Sequence, residues 1–330
     1  MRRNHWLGPF QRRSNMGASR RWSVGFTVRS EDASWVLSLS GMAELESMAV
    51  MEGGWDNTNA LLELVDQSRV VLKVWDANTV EEVARVIERH CHLDVYGIPT
   101  VVPFELDGFG LIAERNGVAW TLLPFIEGGF LGTDEASLES LGAVQAMMHQ
   151  IPTSNCFPDK YTMGFEFFDE VFALAEERDC WVPFLSLLKE ESATLRERLQ
   201  VGLPEGVLHG DLFPDNVIGD GGGVSAILDL EESWIGPCIF DLAMSFVGFG
   251  WEGGVPRERR WRALVGGYES VRSLTQEEWV ALPDMHRYAT LAIAGWRYWK
   301  HNLSVPDPEL SGRYEEMVER LDAELDFMEG

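Results

Sequence analysis

The sequence predicts an α+β chain of two lobes: a small N-terminal antiparallel β lobe carrying one helix, and a larger, mostly α-helical C-terminal lobe. Three observations predict it. From Leu45 to Phe125 the apolar residues come in runs of strand length broken by turn residues. Beyond residue 133 the apolar period becomes helical. Between Asn216 and Asp229 a strand, a glycine turn and a second strand interrupt the helices. A chain of 330 residues with 45% hydrophobic content has core enough for one large or two moderate domains.

Residues 1–40 are assigned to a poorly ordered, Arg-rich N-terminal extension, uninvolved in catalysis at least to about Arg29. The first thirty residues hold seven Arg, several Ser and no acidic residue, a composition similar to that of an organellar transit peptide. An upstream extension of the reading frame explains it equally, because Met42, Met48 and Met51 each offer a later start. The expected location is cytoplasmic, or organellar if the segment is a transit peptide.

Residues 41–127 form the expected nucleotide-binding lobe. Leu45–Met51, Ala60–Val65 and Val70–Trp75 make a three-stranded meander. Gly53 and Gly54, between the first two strands, let backbone amides approach phosphate oxygens; a tight structural turn explains them equally. Lys73 lies in the middle of the third strand, after the glycine turn and before a helix, in the order by which kinases place the lysine that binds nucleotide phosphates. The helix starts at Thr79, whose spacing to Glu82 fits a capping box. Glu82 is the candidate carboxylate partner of Lys73, in competition with Glu81 and Glu88 and with its own capping role. Phe109–Ala113 and Val118–Phe125 read as the last two strands, and backbone groups around Leu122 and Leu123 as the adenine-binding hinge, or as an ordinary edge strand and loop.

Residues 128–330 form the helical lobe, with helices expected over Ser137–Gln150, Phe165–Glu177, Val182–Leu199, Asp241–Phe249, Arg257–Ser270, Thr275–His301 and Pro308–Phe327. Among them lies His209-Gly-Asp211-Leu-Phe-Pro-Asp-Asn216, with Asp229 thirteen residues later. This is the spacing of a kinase catalytic loop, in which an Asp five residues before an Asn accepts the substrate proton and a later Asp holds magnesium. A hairpin closed at Gly222 and Gly223 sets Asn216 opposite Asp229, where two oxygen ligands share a hard cation. Asp211 is the expected catalytic base, Asn216 and Asp229 the metal ligands, and His209 a packed support for the loop.

The formal charge of −26 argues against a polyanionic partner such as nucleic acid or an anionic membrane, whose binding relies on clustered Lys and Arg, and favours small cationic or zwitterionic substrates. No run of eighteen apolar residues exists. The four cysteines are far apart, without C-x-x-C or His partners at ligand spacing, so neither a zinc site nor a disulfide framework is indicated.

Gly53-Gly-Trp-Asp-Asn-Thr-Asn59, the loop from His209 to Asn216, and Phe240-Asp-Leu-Ala243 resemble the aminoglycoside phosphotransferase and choline kinase superfamily. The nearest branch is the homoserine kinase type built on this fold, which the chain resembles in Asp56-Asn-Thr-Asn59, in Leu212-Phe-Pro-Asp-Asn216, in Tyr268–Thr275 and in Arg297-Tyr-Trp299. The likeness runs from about residue 45 to 303. It implies a bilobal protein-kinase-like fold, ATP with Mg2+ as cofactors, the roles given above for Asp211, Asn216 and Asp229, and a bracing role for Asp241. Asn57 and Asn59 join the expected nucleotide-binding residues, and Trp296, Arg297 and Trp299 line or back the acceptor pocket, unless helix packing alone explains them. The chain departs from the homoserine branch at Leu230-Glu231-Glu232 and through Trp234 to Cys238. There Asp215, Glu231 and Glu232 are candidates for binding an acceptor amine, or are solvated acids.

The expected reaction is transfer of the γ-phosphate of ATP to a hydroxyl of a small, amine-bearing metabolite, with L-homoserine first among the acceptors. Choline or ethanolamine, an amino sugar, hydroxylysine and aminoglycosides are alternatives, as is a nucleotide-binding pseudokinase, against which the intact Lys73, Asp211, Asn216 and Asp229 speak. Protein side chains are disfavoured as acceptors, since no Ala-Pro-Glu segment or long activation loop follows Asp229. The expected assembly is a monomer or homodimer.

Overall fold

The structure, a computed structural model, describes residues 27–51, 57–199 and 202–328. The chain divides into two compact units. One takes the chain as far as Ala84 and then Pro103–Leu123; the other takes Arg85–Val102 and everything from Pro124 onward.

The first unit is a five-stranded antiparallel sheet with strands β1 (Leu45–Val50), β2 (Thr58–Leu64), β3 (Arg69–Trp75), β4 (Ala113–Arg115) and β5 (Val118–Pro124), in the order β1-β2-β3-β5-β4. Alternation decides its faces: Ala60, Leu62 and Leu64 of β2 are buried while Glu63 between them is exposed. Helix α1 (Ser30–Ser40) covers the same core, contributing Ala33, Val36 and Leu37 beside Leu62, Leu64 and Trp120. Trp35 meets Trp120 edge-on at 5.8 Å, and Arg115 lies 5.0 Å over Trp35. Residues 30–40, assigned above to a poorly ordered extension, are therefore an ordered part of this unit.

The strand expected over Phe109–Ala113 instead begins at Ala113. Asn116 and Gly117 take positive φ of 57° and 74° and close a two-residue hairpin pairing Arg115 with Val118. Asn-Gly suits such a turn because both positions need left-handed backbone.

Helix α2 (Val80–Val95) passes from the first unit into the second. The second unit is built on α3 (Glu135–Met148), α4 (Phe165–Glu177), α5 (Pro183–Arg198), α6 (Ile239–Phe249), α7 (Glu258–Glu269) and α8 (Gln276–Tyr298), with α3 packed along α7 and α6 along α8. Short strands sit among the helices. After β6 (Gly129–Phe130) come β7 (Glu205–Leu208), β8 (Val217–Gly219), β9 (Val224–Ile227) and β10 (Trp234–Pro237), paired as a three-stranded β6-β8-β9 sheet and a β7-β10 ribbon. Antiparallel strands preceding a helical region give the α+β, protein-kinase-like arrangement predicted.

Two expectations for the helices change. Residues Trp299–Ser304 continue α8 as a π-helical turn. The helix expected over Pro308–Phe327 shrinks to α9 (Glu315–Glu319) with flanking turns. Arginine side chains take backbone carbonyls along this segment: Arg297 binds that of Arg313 at 3.2 Å and Arg287 that of Leu321 at 2.8 Å, fixing it as a wrapped strap.

Candidate active site

The catalytic-loop sequence lies wholly in the second unit, between β7 and β8. At the end of β7, Leu208 pairs with Trp234 of β10, which fixes where the next residues leave the ribbon. Asp241, fully buried in the first turn of α6, then receives the chain: its carboxylate accepts the N–H of His209 at 2.6 Å and of Gly210 at 2.8 Å. Charge-assisted bonds of this kind are the strong ones. Gly210 has φ 86°, and a Cβ there would stand 2.4 Å from the Glu232 carbonyl oxygen, so only glycine fits.

Asp241 is held in turn by His149, the C-cap of α3, whose Nε2 lies 3.3 Å away while its Nδ1 meets the Tyr268 hydroxyl at 2.8 Å. Arg272 donates to that hydroxyl at 3.1 Å and to Glu278 at 2.9 Å. Burial disfavours charge on His149, but Tyr268, Asp241 and Cys238 outweigh it and raise the imidazole well above its ordinary range.

His209 supports the loop. Its Nδ1 accepts the Asp211 N–H at 3.1 Å, which puts the ring proton on Nε2, where it is donated to the Leu228 carbonyl at 2.8 Å. Burial lowers its pKa, consistent with a neutral ring.

The structure brings Asp211 and Asn216 together. The Asn216 amide nitrogen donates to the Asp211 carbonyl at 2.8 Å and to its carboxylate at 3.3 Å, which leaves the side-chain oxygen of Asn216 as the ligand end of the amide. Burial first, then the charges of Glu232, Asp229 and Asp215, push the Asp211 carboxyl up to about 8. A carboxylate poised near neutrality is suited to accept a proton from an alcohol.

The hairpin after Asn216 is one residue out of the expected register. Val217 pairs with Ile227, an irregularity follows at Gly219, and Asn216 faces Leu228, whose N–H it accepts at 2.9 Å. Asp229 is the next residue, in left-handed backbone at φ 57° and ψ 70°.

The acceptor-side candidates separate. Glu232 and Asp215 act electrostatically on Asp211, and Glu232 also accepts the Thr162 hydroxyl. Tyr161 adds an aromatic wall, its hydroxyl bonded to the Gly210 carbonyl at 2.8 Å and its ring stacked on Trp234. Glu231 contributes its backbone carbonyl to Arg89. Arg297 is tied to Glu316 at 2.8 Å, Trp299 packs edge-on against Phe167 of α4, and Trp296 lies beside Lys300 and His301.

Within the first unit, Lys73 sits on β3 opposite Asn59, 9% exposed, with its ammonium 3.9 Å above the Trp75 ring. Asn57 accepts the Ala77 N–H at 3.4 Å. Glu82 closes the capping box with Thr79, through bonds of 2.8, 3.0 and 3.2 Å. Leu122 and Leu123 lie on β5, and the Leu122 carbonyl already accepts the Phe104 N–H at 2.8 Å. Gly53 and Gly54 fall outside the described residues.

Among the described residues, no cluster of three or more His, Cys, Asp or Glu side chains forms a ready-made metal cage. The donor set at the hairpin, a carboxylate and an amide oxygen, fits a hard cation that takes its remaining ligands from phosphate and water, as magnesium does. No helix among those residues is long and apolar enough to cross a membrane.

Known proteins resemble this chain in family and in fold. The model of the phosphotransferase enzyme family matches residues 47–274. The homoserine kinase of Methylobacillus glycogenes is 28% identical over 297 residues, covering 86% of this chain and 87% of that protein. Two solved structures share the fold at a TM-score of 0.66: an amicoumacin kinase bound to AMP-PNP and Ca2+, 15% identical, covering 86% of this chain and 90% of that one; and a microcompartment-associated aminopropanol kinase, 16% identical, covering 89% and 95%.

Proposed function

Because this chain belongs to the phosphotransferase enzyme family, whose members use ATP, and is a small-molecule kinase with an alcohol group as acceptor, we propose that it phosphorylates an amine-bearing metabolite, L-homoserine foremost. The observation that carries the mechanism is the catalytic loop's Asp211, fastened to Asn216 by two hydrogen bonds. Asp211 orients the acceptor hydroxyl and takes its proton as the oxygen attacks the γ-phosphorus, whose bond to the β,γ-bridging oxygen breaks to release ADP. Asn216 and Asp229 would hold Mg2+, which would supply positive charge to offset that of the phosphate groups. Lys73 neutralises phosphate charge from β3.

Two observations support homoserine. The homoserine kinase likeness spans most of both chains. Beside Asp211, Glu232 and Asp215 supply the negative charge that an acceptor ammonium needs.

The test is ADP release from ATP and Mg2+ over a panel of L-homoserine, aminopropanol, ethanolamine, choline, hydroxylysine and aminoglycosides, with Asp211→Asn as control. Release with L-homoserine that the variant loses supports the proposal. Release only with an amino alcohol or aminoglycoside replaces homoserine with that acceptor, and release with none of the panel refutes the proposed acceptor class.

A further inference from the structure

Arg89, on α2, is 7% exposed, and the mechanism above leaves it without a task. Its guanidinium makes three hydrogen bonds to backbone carbonyls: Nε to Cys156 at 2.9 Å, and Nη1 to Leu230 at 2.8 Å and Glu231 at 2.9 Å. The second and third of these carbonyls belong to the two residues that follow Asp229.

Asp229 itself occupies left-handed backbone, which residues with a Cβ adopt only where their surroundings enforce it. The chain on either side is clamped. On the near side, Leu228 gives its N–H to the Asn216 carbonyl and its carbonyl to His209 Nε2. On the far side, Leu230–Glu232 form a single 3₁₀ turn, closed by Ser233 N–H on the Leu230 carbonyl at 3.3 Å. A single 3₁₀ turn has poorer hydrogen-bond geometry than an α-helix. Arg89 supplies a constraint from outside the turn, since its Nη1 takes both successive carbonyls while Nε, fixed in the same plane, ties them to the Cys156 segment. The cation also offsets the nearby Glu231 and Glu232 carboxylates.

We propose that Arg89 is a positioning residue for the metal site: by clamping the carbonyls of Leu230 and Glu231 it holds Asp229 in the left-handed conformation that aims its carboxylate at the cation. This rests on the reading of Asp229 as a metal ligand. Lysine at position 89 keeps the charge and loses the fork, whereas methionine keeps the stem and loses both.

Mn2+ binding to the ADP-loaded protein, followed by electron paramagnetic resonance, tests this in wild type, Arg89→Lys, Arg89→Met and Asp229→Ala, with metal-free ADP affinity and Tm measured alongside. The Lys variant is expected to fold, to bind ADP alone as wild type does, and to bind Mn2+ roughly tenfold more weakly or worse, as losses of groups that orient metal ligands do. Half-maximal rate should then need correspondingly more Mg2+. The Met variant should lose more; if it fails to fold, the Lys variant carries the test. Wild-type Mn2+ affinity in Arg89→Lys, with Asp229→Ala binding none, overturns the role of Arg89 alone. Unaltered Mn2+ binding in Asp229→Ala overturns the metal reading, and the proposal with it.

Discussion

At the scale of single residues, the site is a set of polar groups whose roles follow from what they touch. Asp211 is held by Asn216 and surrounded by acids, so Asp211→Asn, which preserves shape and removes the base, should lower kcat by roughly 10²–10⁴-fold while the KM for ATP stays near wild type. Steady-state kinetics decides it, and an unchanged kcat removes Asp211 as base. His286 of α8 offers a stability test away from the site. Burial first, then Arg320 and Arg287, depress its pKa from 6.5 to about 3, and its Nε2 has no hydrogen-bond partner among the described residues. The unfolded chain therefore binds a proton that the folded chain refuses. The stability contribution of neutral His286 is complete above pH 6.5 and is lost progressively as pH falls toward 3. Thermal melts at pH 7 and pH 5 should show a smaller acid-induced drop in Tm for His286→Gln than for wild type; equal drops would contradict the buried neutral ring. The spacing of Asp211 and Asn216 was legible in the sequence because both lie in one short loop whose geometry is local. The Arg89 contacts were not, since an arginine on an amphipathic helix reads as solvent-facing and its acceptors lie up to 142 positions away.

At the scale of elements, caps and turns explain both what the sequence foretold and what it missed. The Thr79–Glu82 capping box was legible as S/T-x-x-E spacing, and a second such box joins Thr275 to Glu278 at the start of α8. There Glu278 is fully buried and also receives Arg272, which bonds Tyr268 and so connects to His149 and Asp241. Thr275→Ala should cost about 1 kcal/mol in urea unfolding, the usual worth of such a cap. A change near zero would show that α8 is held by packing alone. Helix α1 was hidden by the Arg-rich composition before it, although Glu31 and Asp32 in its first turn and Gly41 at its end are start and stop signals. The β8–β9 register was missed by one residue because the turn was placed at Gly222 and Gly223, whereas Gly219 pairs with Val224 and the irregularity between Ile218 and Gly219 recovers only one residue of that offset.

For the whole molecule, the charge of −26 matters beyond the choice of partner. Like charges repel across a folded surface, and salt screens them over about 10 Å at 0.1 M. Tm should therefore rise between 10 and 150 mM NaCl, and a flat or falling Tm would show that local ion pairs such as Arg287–Glu191 outweigh the net repulsion. The sequence by itself determined the α+β order of elements, most of the helices, and the spacing of Asp211, Asn216 and Asp229. These depend on periodicity, turn chemistry and composition, which act over a few residues or over the chain as a sum. Only the tertiary structure decided that α1 joins the first unit's core, that Glu82 caps its helix, that Arg297 serves the C-terminal strap, and that Asp241 is shared between His149 and the loop amides. Each of these depends on which buried donor meets which acceptor across the fold, and burial leaves such groups little choice but to pair with whatever packing brings within reach.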